Sequence, residues 1–289
     1  MKKFLFLILS IIVFTAVIAG CSKASDNNTT SNTTNQNAPN STSGTNTTNV
    51  AETTIQATGV ASNNYSNEKI VWGPGLADNH QRPADPVSLQ ESYGKFGGQF
   101  IMNDDKFICL TFDEGYENGY TPSILDTLKE KNVKAIFFVT YDFVKDNPQL
   151  IERMIDEGHI IGNHTYRHYT LDEVSEAEAT EEIRFLDKYM KENFRYRMTL
   201  FRFPKGEFSE KTLALADDLG YKSVFWSFAY ADWDVNNPAD PKEAFNQITS
   251  HTHNGEIMLL HAVSKTNAEI LGDVIDEVIK QGYQFTTEV

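Results

Sequence analysis

Residues 107–139 read FICLTFDEGYENGYTPSILDTLKEKNVKAIFFV. An apolar run, 107–112, ends on the acidic pair Asp113-Glu114. After a short polar stretch Thr121-Pro122 opens an amphipathic segment, and a second apolar run, 134–139, closes the unit. Proline at a first helical position gives up only an N–H that has no intrahelical partner, so a capping residue followed by proline predicts a helix start. Strand, helix and strand in this order make a βαβ unit, which joins parallel neighbours.

The alternation continues outward from this unit. Apolar runs recur at 159–162, 199–203, 222–228, 256–260 and 284–286. Asn147-Pro148 and Asp240-Pro241 repeat the helix-start signal, and Gly158, Gly220 and Gly282 each stand where a left-handed glycine would end a helix. Thr170-Leu171-Asp172-Glu173 predicts a capping box for the longest helix, whose Ile183, Leu186 and Met190 keep helical spacing. About seven continuous apolar strands with helices between them predict an α/β fold. Its sheet is parallel, either open and wound or a closed or nearly closed barrel. Both arrangements put their chemistry at the carboxyl ends of the strands.

Titratable residues stand at five of those ends: Asp113-Glu114, His164 with His168, Arg202, Asp232 and His261. His164 and His168 are four residues apart, so on a helical turn both imidazoles share one face and suit one metal ion. A carboxylate from Asp113-Glu114 would complete a site of two histidines and one carboxylate with an open position for water. That is the arrangement of metal-assisted hydrolysis.

Composition narrows the partners. Forty acidic against 25 basic residues give a net charge of −15 over 289 residues, which disfavours nucleic acid or a bare anionic membrane as principal partner. Two cysteines, Cys21 and Cys109, exclude a disulfide framework. Lys2 and Lys3 precede an apolar run over 4–19, the pattern of an export signal. It ends at Ile18-Ala19-Gly20-Cys21, which resembles a bacterial lipobox and implies lipidation of Cys21. Over 25–54, 22 of 30 residues are Ser, Thr or Asn, a composition too polar to bury a core. The expected organisation is a signal peptide (1–20), a lipid-anchored linker (21–67), a lead-in segment (68–106) and one catalytic domain (107–289).

Thr111-Phe112-Asp113-Glu114-Gly115-Tyr116, His164-Thr165-Tyr166-Arg167-His168, Arg202-Phe203-Pro204-Lys205-Gly206, Asp232-Trp233 and Leu259-Leu260-His261 occur in this order. Together they resemble the five motifs of the polysaccharide deacetylases, the NodB-like carbohydrate esterases. The words around Tyr116–Pro122, Trp226-Ser227 and Leu260–Ser264, followed by Asn267-Ala268-Glu269, are similar to the branch that makes muramic δ-lactam in spore cortex peptidoglycan.

The resemblance implies a distorted, incomplete (β/α) barrel and one divalent ion, zinc or another first-row transition metal. It implies His164, His168 and Glu114 as metal ligands, Asp113 as the base that takes a proton from water, and Arg202 as its partner. His261 would protonate the leaving amine, steadied by Asp232. Lys205 would supply an oxyanion N–H at the position of the family's usual tyrosine, beside Pro204. Leu260 and Trp233 would wall the acetyl methyl. Glu114 departs from the family's aspartate and is one methylene longer, which puts its ligation in question.

The implied substrate is peptidoglycan, most specifically peptide-free N-acetylmuramic acid. The implied place is the outer face of the bacterial cytoplasmic membrane, held there by Cys21, as a monomer that does not bind nucleic acid. Two alternatives are an N-acetylglucosamine deacetylase and a non-catalytic glycan- or solute-binding lipoprotein. Cys109, His159, His251 and His253 read as structural, while His80 could reach a substrate groove.

Overall fold

The computed structural model describes residues 64–289. The 1–20 signal, Cys21 and most of the 21–67 linker lie outside the described residues.

The first apolar run becomes β3 (Phe107–Glu114), buried from Ile108 onward. It pairs in parallel with β4 (Ile136–Val139) on one side and β10 (Glu256–His261) on the other. The 159–162 run gives β5 (Ile160–Asn163), and only the middle of 199–203 forms β6 (Leu200–Phe201). The 222–228 run splits into β8 (Lys222–Val224) and β9 (Phe228–Ala229). The last run gives β11 (Gln284–Phe285), which pairs with the start of β3. The lead-in adds β2 (Gly98–Gln99) to the edge. The order is β2-β8-β6-β5-β4-β3-β10-β9, all parallel and not closed on itself. The fold is therefore an α/β half-barrel, the incomplete barrel among the two expected arrangements.

The split at 225–227 has a physical cause. Here the chain crosses from β8, paired with the edge strand β2, to β9 at the opposite edge: Phe225 N donates to Gln99 O and Ser227 N to Ile257 O. The fully buried Arg202 fills the break, its Nε donating to Val224 O and its Nη2 to Phe225 O, each at 2.9 Å. Carbonyls without a ladder partner are thereby satisfied by one guanidinium.

The lead-in supplies α1 (Ala84–Tyr93), and the helices between and after the strands are α2 (Thr121–Glu130), α3 (Tyr141–Asp146), α4 (Pro148–Asp156), α5 (Glu176–Phe194), α6 (Glu210–Asp218), α7 (Pro241–His251) and α8 (Lys265–Lys280). Asp240 caps α7 as expected, accepting from Lys242 N and Glu243 N. Thr121 instead lies inside α2, after an N-cap at Tyr120. The capping box of α5 is Ser175 with Glu178, one turn beyond the expected one. Thr170 begins a short 3-10 turn, and its hydroxyl donates to Glu207. Both stretches carry the same Ser/Thr-x-x-Glu spacing, and the copy adjoining the apolar periodicity wins.

The lead-in belongs to the same body. Its β1 (Ile70–Val71) runs antiparallel to β7 (Glu207–Phe208), Lys69 bridges Glu173 and Glu207, and Trp72 donates its indole N–H to Trp226 O at 3.0 Å. Among the described residues no helix is long and apolar enough to cross a membrane.

Candidate active site

At the carboxyl ends of the strands lies a cavity of about 720 Å³. Asp113, His164, His168, Lys205, Trp233 and His261 all reach its wall. Register explains the closest pairing: His261 on β10 sits directly opposite Asp113 on β3.

The histidine pair does not ride on a helix, as its spacing predicts. It lies in the loop after β5, where Thr165 (φ 74) and His168 (φ 60) both take left-handed backbone. Local side chains impose this turn. Thr165 N donates to Asn163 Oδ1 and His168 N to Thr165 Oγ1, each at 2.9 Å, and the buried Glu182 of α5 accepts from Arg167 N and Nε at 2.7 Å. The result still brings the rings together, with Nε2 to Nε2 at 3.1 Å. His164 Nδ1 lies 2.9 Å from the Arg202 carbonyl oxygen. A carbonyl only accepts, so Nδ1 carries the hydrogen and the Nε2 lone pair faces the cavity. Burial keeps both rings neutral, pushing His168 down to about 4 and His164 below its ordinary value.

Asp113 accepts from Arg202 Nη1 at 2.9 Å, and its second oxygen lies 3.7 Å from His164 Nε2. Burial works to raise this carboxyl, but Arg202, with His164 and His261, holds it below the usual range. His261 responds in the opposite sense. Burial lowers it, and the 2.7 Å bond to Asp232 outweighs burial and raises it. A carboxyl shifted down and an imidazole shifted up thus face each other on neighbouring strands.

Three expected contacts are corrected. Leu260 points away from the cavity. Side chains alternate along β10, so Leu259 shares the His261 face and lines the wall. Pro204 is buried in a 3-10 turn and does not reach the lining. Glu114 turns to the face opposite Asp113, fully buried beside Thr121, and neither of its oxygens has a hydrogen-bond partner. Burial, then Glu117 and Asp113, push its carboxyl well above the ordinary value.

Two neutral imidazoles with converging Nε2 atoms suit a first-row ion, whose bonds of about 2.0–2.1 Å at a tetrahedral angle place nitrogens about 3.3 Å apart. Among the described residues no group of three His, Cys, Asp or Glu converges to complete that set. The donors present therefore fit an ion through His164 and His168, with Glu114 outside the site.

Residues 101–224 match the family described as Polysaccharide deacetylase. Peptidoglycan-N-acetylmuramic acid deacetylase PdaA of Bacillus subtilis is 44% identical over 221 residues, 76% of this chain and 84% of that protein. The chain belongs to the polysaccharide deacetylase family. The solved structure of Bacillus subtilis PdaA, a family 4 carbohydrate esterase, superposes with a TM-score of 0.73 at 43% identity, covering 76% of this chain and 95% of that one. A peptidoglycan-N-acetylglucosamine deacetylase of Bacillus cereus is 33% identical over 194 residues, 65% of this chain and 88% of that protein. This deacetylase is thus a carbohydrate esterase of family 4.

Sequence reasoning missed several residues of the deacetylase cavity. Trp72, Gly73 and Pro74 line it from the lead-in, and Tyr230 from just after β9, whereas Trp226 in the strand break, which the sequence left open between core and sugar-stacking roles, lines it as well. Strand parity counted back from His261 finds Leu259, whereas nothing local marks Trp72. Conversely, His80 binds the Thr252 carbonyl at 2.7 Å, before the amino end of β10 and away from the cavity. Cys109 is core, its thiol pushed up to about 12 by burial. His253 is buried against Ser227.

Proposed function

We propose that the protein removes the acetyl group from peptide-free N-acetylmuramic acid in peptidoglycan, the step that frees an amine for δ-lactam closure. Lys205 is the observation that carries this substrate. Among the described residues it is the only Lys or Arg side chain lining the cavity. Its one hydrogen bond is a 3.5 Å approach to Thr170, and the nearby Glu207 is held by Lys69 and Thr170. Lys205 stands at φ 58, ψ 5, a backbone state that costs a non-glycine residue roughly 1–3 kcal/mol. An exposed ammonium in this cavity suits a sugar that bears a free carboxylate, and the lactyl group of muramic acid supplies one once its peptide is gone. Similarity to the PdaA of Bacillus subtilis supports the same reading.

In the proposed reaction Asp113 accepts the proton of the attacking water, with Arg202 keeping it ionised and aimed. His261 gives its Nε2 proton to the departing amine, and Asp232 stabilises the imidazolium. Leu259 and Trp233 enclose the methyl group. A divalent ion held by His164 and His168 would act as a Lewis acid on the acetyl carbonyl. The freed amine and the lactyl carboxyl sit on one sugar, so ring closure is effectively unimolecular. The proposed setting is the outer face of the cytoplasmic membrane during sporulation, the monomeric chain tethered through a lipidated Cys21.

Mass spectrometry of peptide-free glycan strands after incubation with the protein, with and without divalent metal, tests this. Loss of acetyl plus one water at muramic acid is expected. Loss of acetyl at N-acetylglucosamine alone would replace the substrate with that of the Bacillus cereus relative, and no loss at all would sink the enzymatic reading.

A further inference from the structure

Behind His261 runs a chain of hydrogen bonds. Tyr230, on the cavity wall, donates its hydroxyl to Asn267 Oδ1. Asn267 Nδ2 donates in two directions, to Asp232 Oδ2 at 2.6 Å and to the His261 carbonyl at 3.0 Å. The backbone N–H of His261 donates to that same Asp232 oxygen at 2.7 Å, and His261 Nδ1 lies 2.7 Å from the other. Asn267 is 1% exposed and occupies the first turn of α8, where its own N–H reaches the Ser264 cap.

Each bond removes a freedom. An amide flip at Asn267 would set Oδ1 against the Asp232 carboxylate and leave the Tyr230 hydroxyl facing a donor, so the amide has one orientation. With Asn267 and the His261 backbone on one oxygen and the ring on the other, Asp232 cannot rotate. The His261 Nδ1 must then carry a hydrogen, and only Nε2 is left to exchange a proton with the cavity.

We propose that Asn267 is a positioning residue for the leaving-group acid: it acts through Asp232 to hold His261 in one tautomer and one orientation, and Tyr230 holds Asn267. The role rests on the de-N-acetylase reading, in which His261 donates the proton. The other charged or titratable groups around His261 are Asp113 from β3, Arg202 after β6, and His164 with His168 after β5. A change at position 267 touches none of them.

The experiment compares the wild-type full chain with Asn267→Leu, Asp232→Asn and the double variant on peptide-free glycan strands. Asn267→Leu should lower kcat at least tenfold, leave KM within twofold and move the alkaline limb of the pH profile downward. In the Asp232→Asn background it should cost nothing further, because the residue through which it acts is already disabled. Equal losses in both backgrounds, or an unmoved limb, would overturn the proposal. Tyr230→Phe should give the same limb shift in smaller measure, so the proposal stays falsifiable if the leucine variant does not fold.

The His261 Nδ1–H proton resonance provides a readout independent of turnover. It should be present and slow to exchange in the wild type and lost in Asn267→Leu; persistence in the variant would sink the positioning role. If the wild type releases no acetyl while the resonance is still lost on Asn267→Leu, the de-N-acetylase reading falls and the positioning role stands.

Discussion

Arg202 Nη1 donates to Asp113 Oδ1 at 2.9 Å with both side chains buried, and the same nitrogen donates to Thr111 Oγ1 at 2.8 Å. The guanidinium that closes the break in the sheet is therefore also the counter-ion of the proposed base. Fold and chemistry share one side chain.

Replacing Arg202 by methionine should consequently do two things. It strands a buried carboxylate, which typically costs about 3–5 kcal/mol, and it lets burial raise the Asp113 carboxyl. The acidic limb of kcat/KM should move to higher pH. Because Asp113 sits below its unfolded value, its contribution to stability is present above the ordinary carboxylate range and disappears as pH falls through the lower, folded value. In Arg202→Met that acid-side loss should be absent from thermal melts across pH. Arg202→Lys should not rescue activity, since one ammonium cannot make four directed bonds.

Glu114 predicts the reverse sign. A carboxyl raised by burial is protonated in the folded chain and ionised in the unfolded one, so stability declines as pH rises through and above the ordinary glutamate value. Glu114→Gln should raise Tm, and raise it more at pH 8 than at pH 5. Isothermal titration should find its divalent-ion affinity within about twofold of wild type. His164→Ala should abolish that binding; a large loss in Glu114→Gln would return Glu114 to the ligand set.

For the acid, Asp232→Asn removes the partner that lifts His261 above its ordinary value. The alkaline limb should fall toward that of an unassisted imidazole, with kcat reduced roughly 10²–10⁴-fold. An unchanged limb would assign the proton to another group.

Lys205→Met should raise KM about tenfold or more for glycan bearing the free lactyl carboxylate, in line with the loss of one charge-assisted bond. For the same glycan with its carboxyl reduced to an alcohol, wild type and variant should be indistinguishable. Equal effects on both substrates would show that Lys205 does not read the carboxylate.

Strands were legible because each buried run is bounded by glycine, proline or a cap, and the polar residues at their ends were legible because they interrupt apolar runs. What stayed hidden depends on distance in sequence. The turn carrying His164 and His168 is set by Glu182 on a later helix, so its shape is not contained in the pentapeptide. Glu114 looks like a neighbour of Asp113 on paper, yet strand alternation sends the two to opposite faces, and the same parity separates Leu259 from Leu260. Trp72 joins the cavity only because β1 finds β7 across more than a hundred residues.

The facing positions of His261 and Asp113 on adjacent strands carry a last consequence. Their backbones are held at the repeat of a hydrogen-bonded sheet, about 4.8 Å, so the spacing of the proposed acid and base is a fixed gauge and no loop can retune it. Loops around the rim can change which sugar is admitted. The gauge itself admits only a group that fits over the sheet between two side chains rooted one strand apart, and a single inserted residue in either strand would spoil it for every substrate alike.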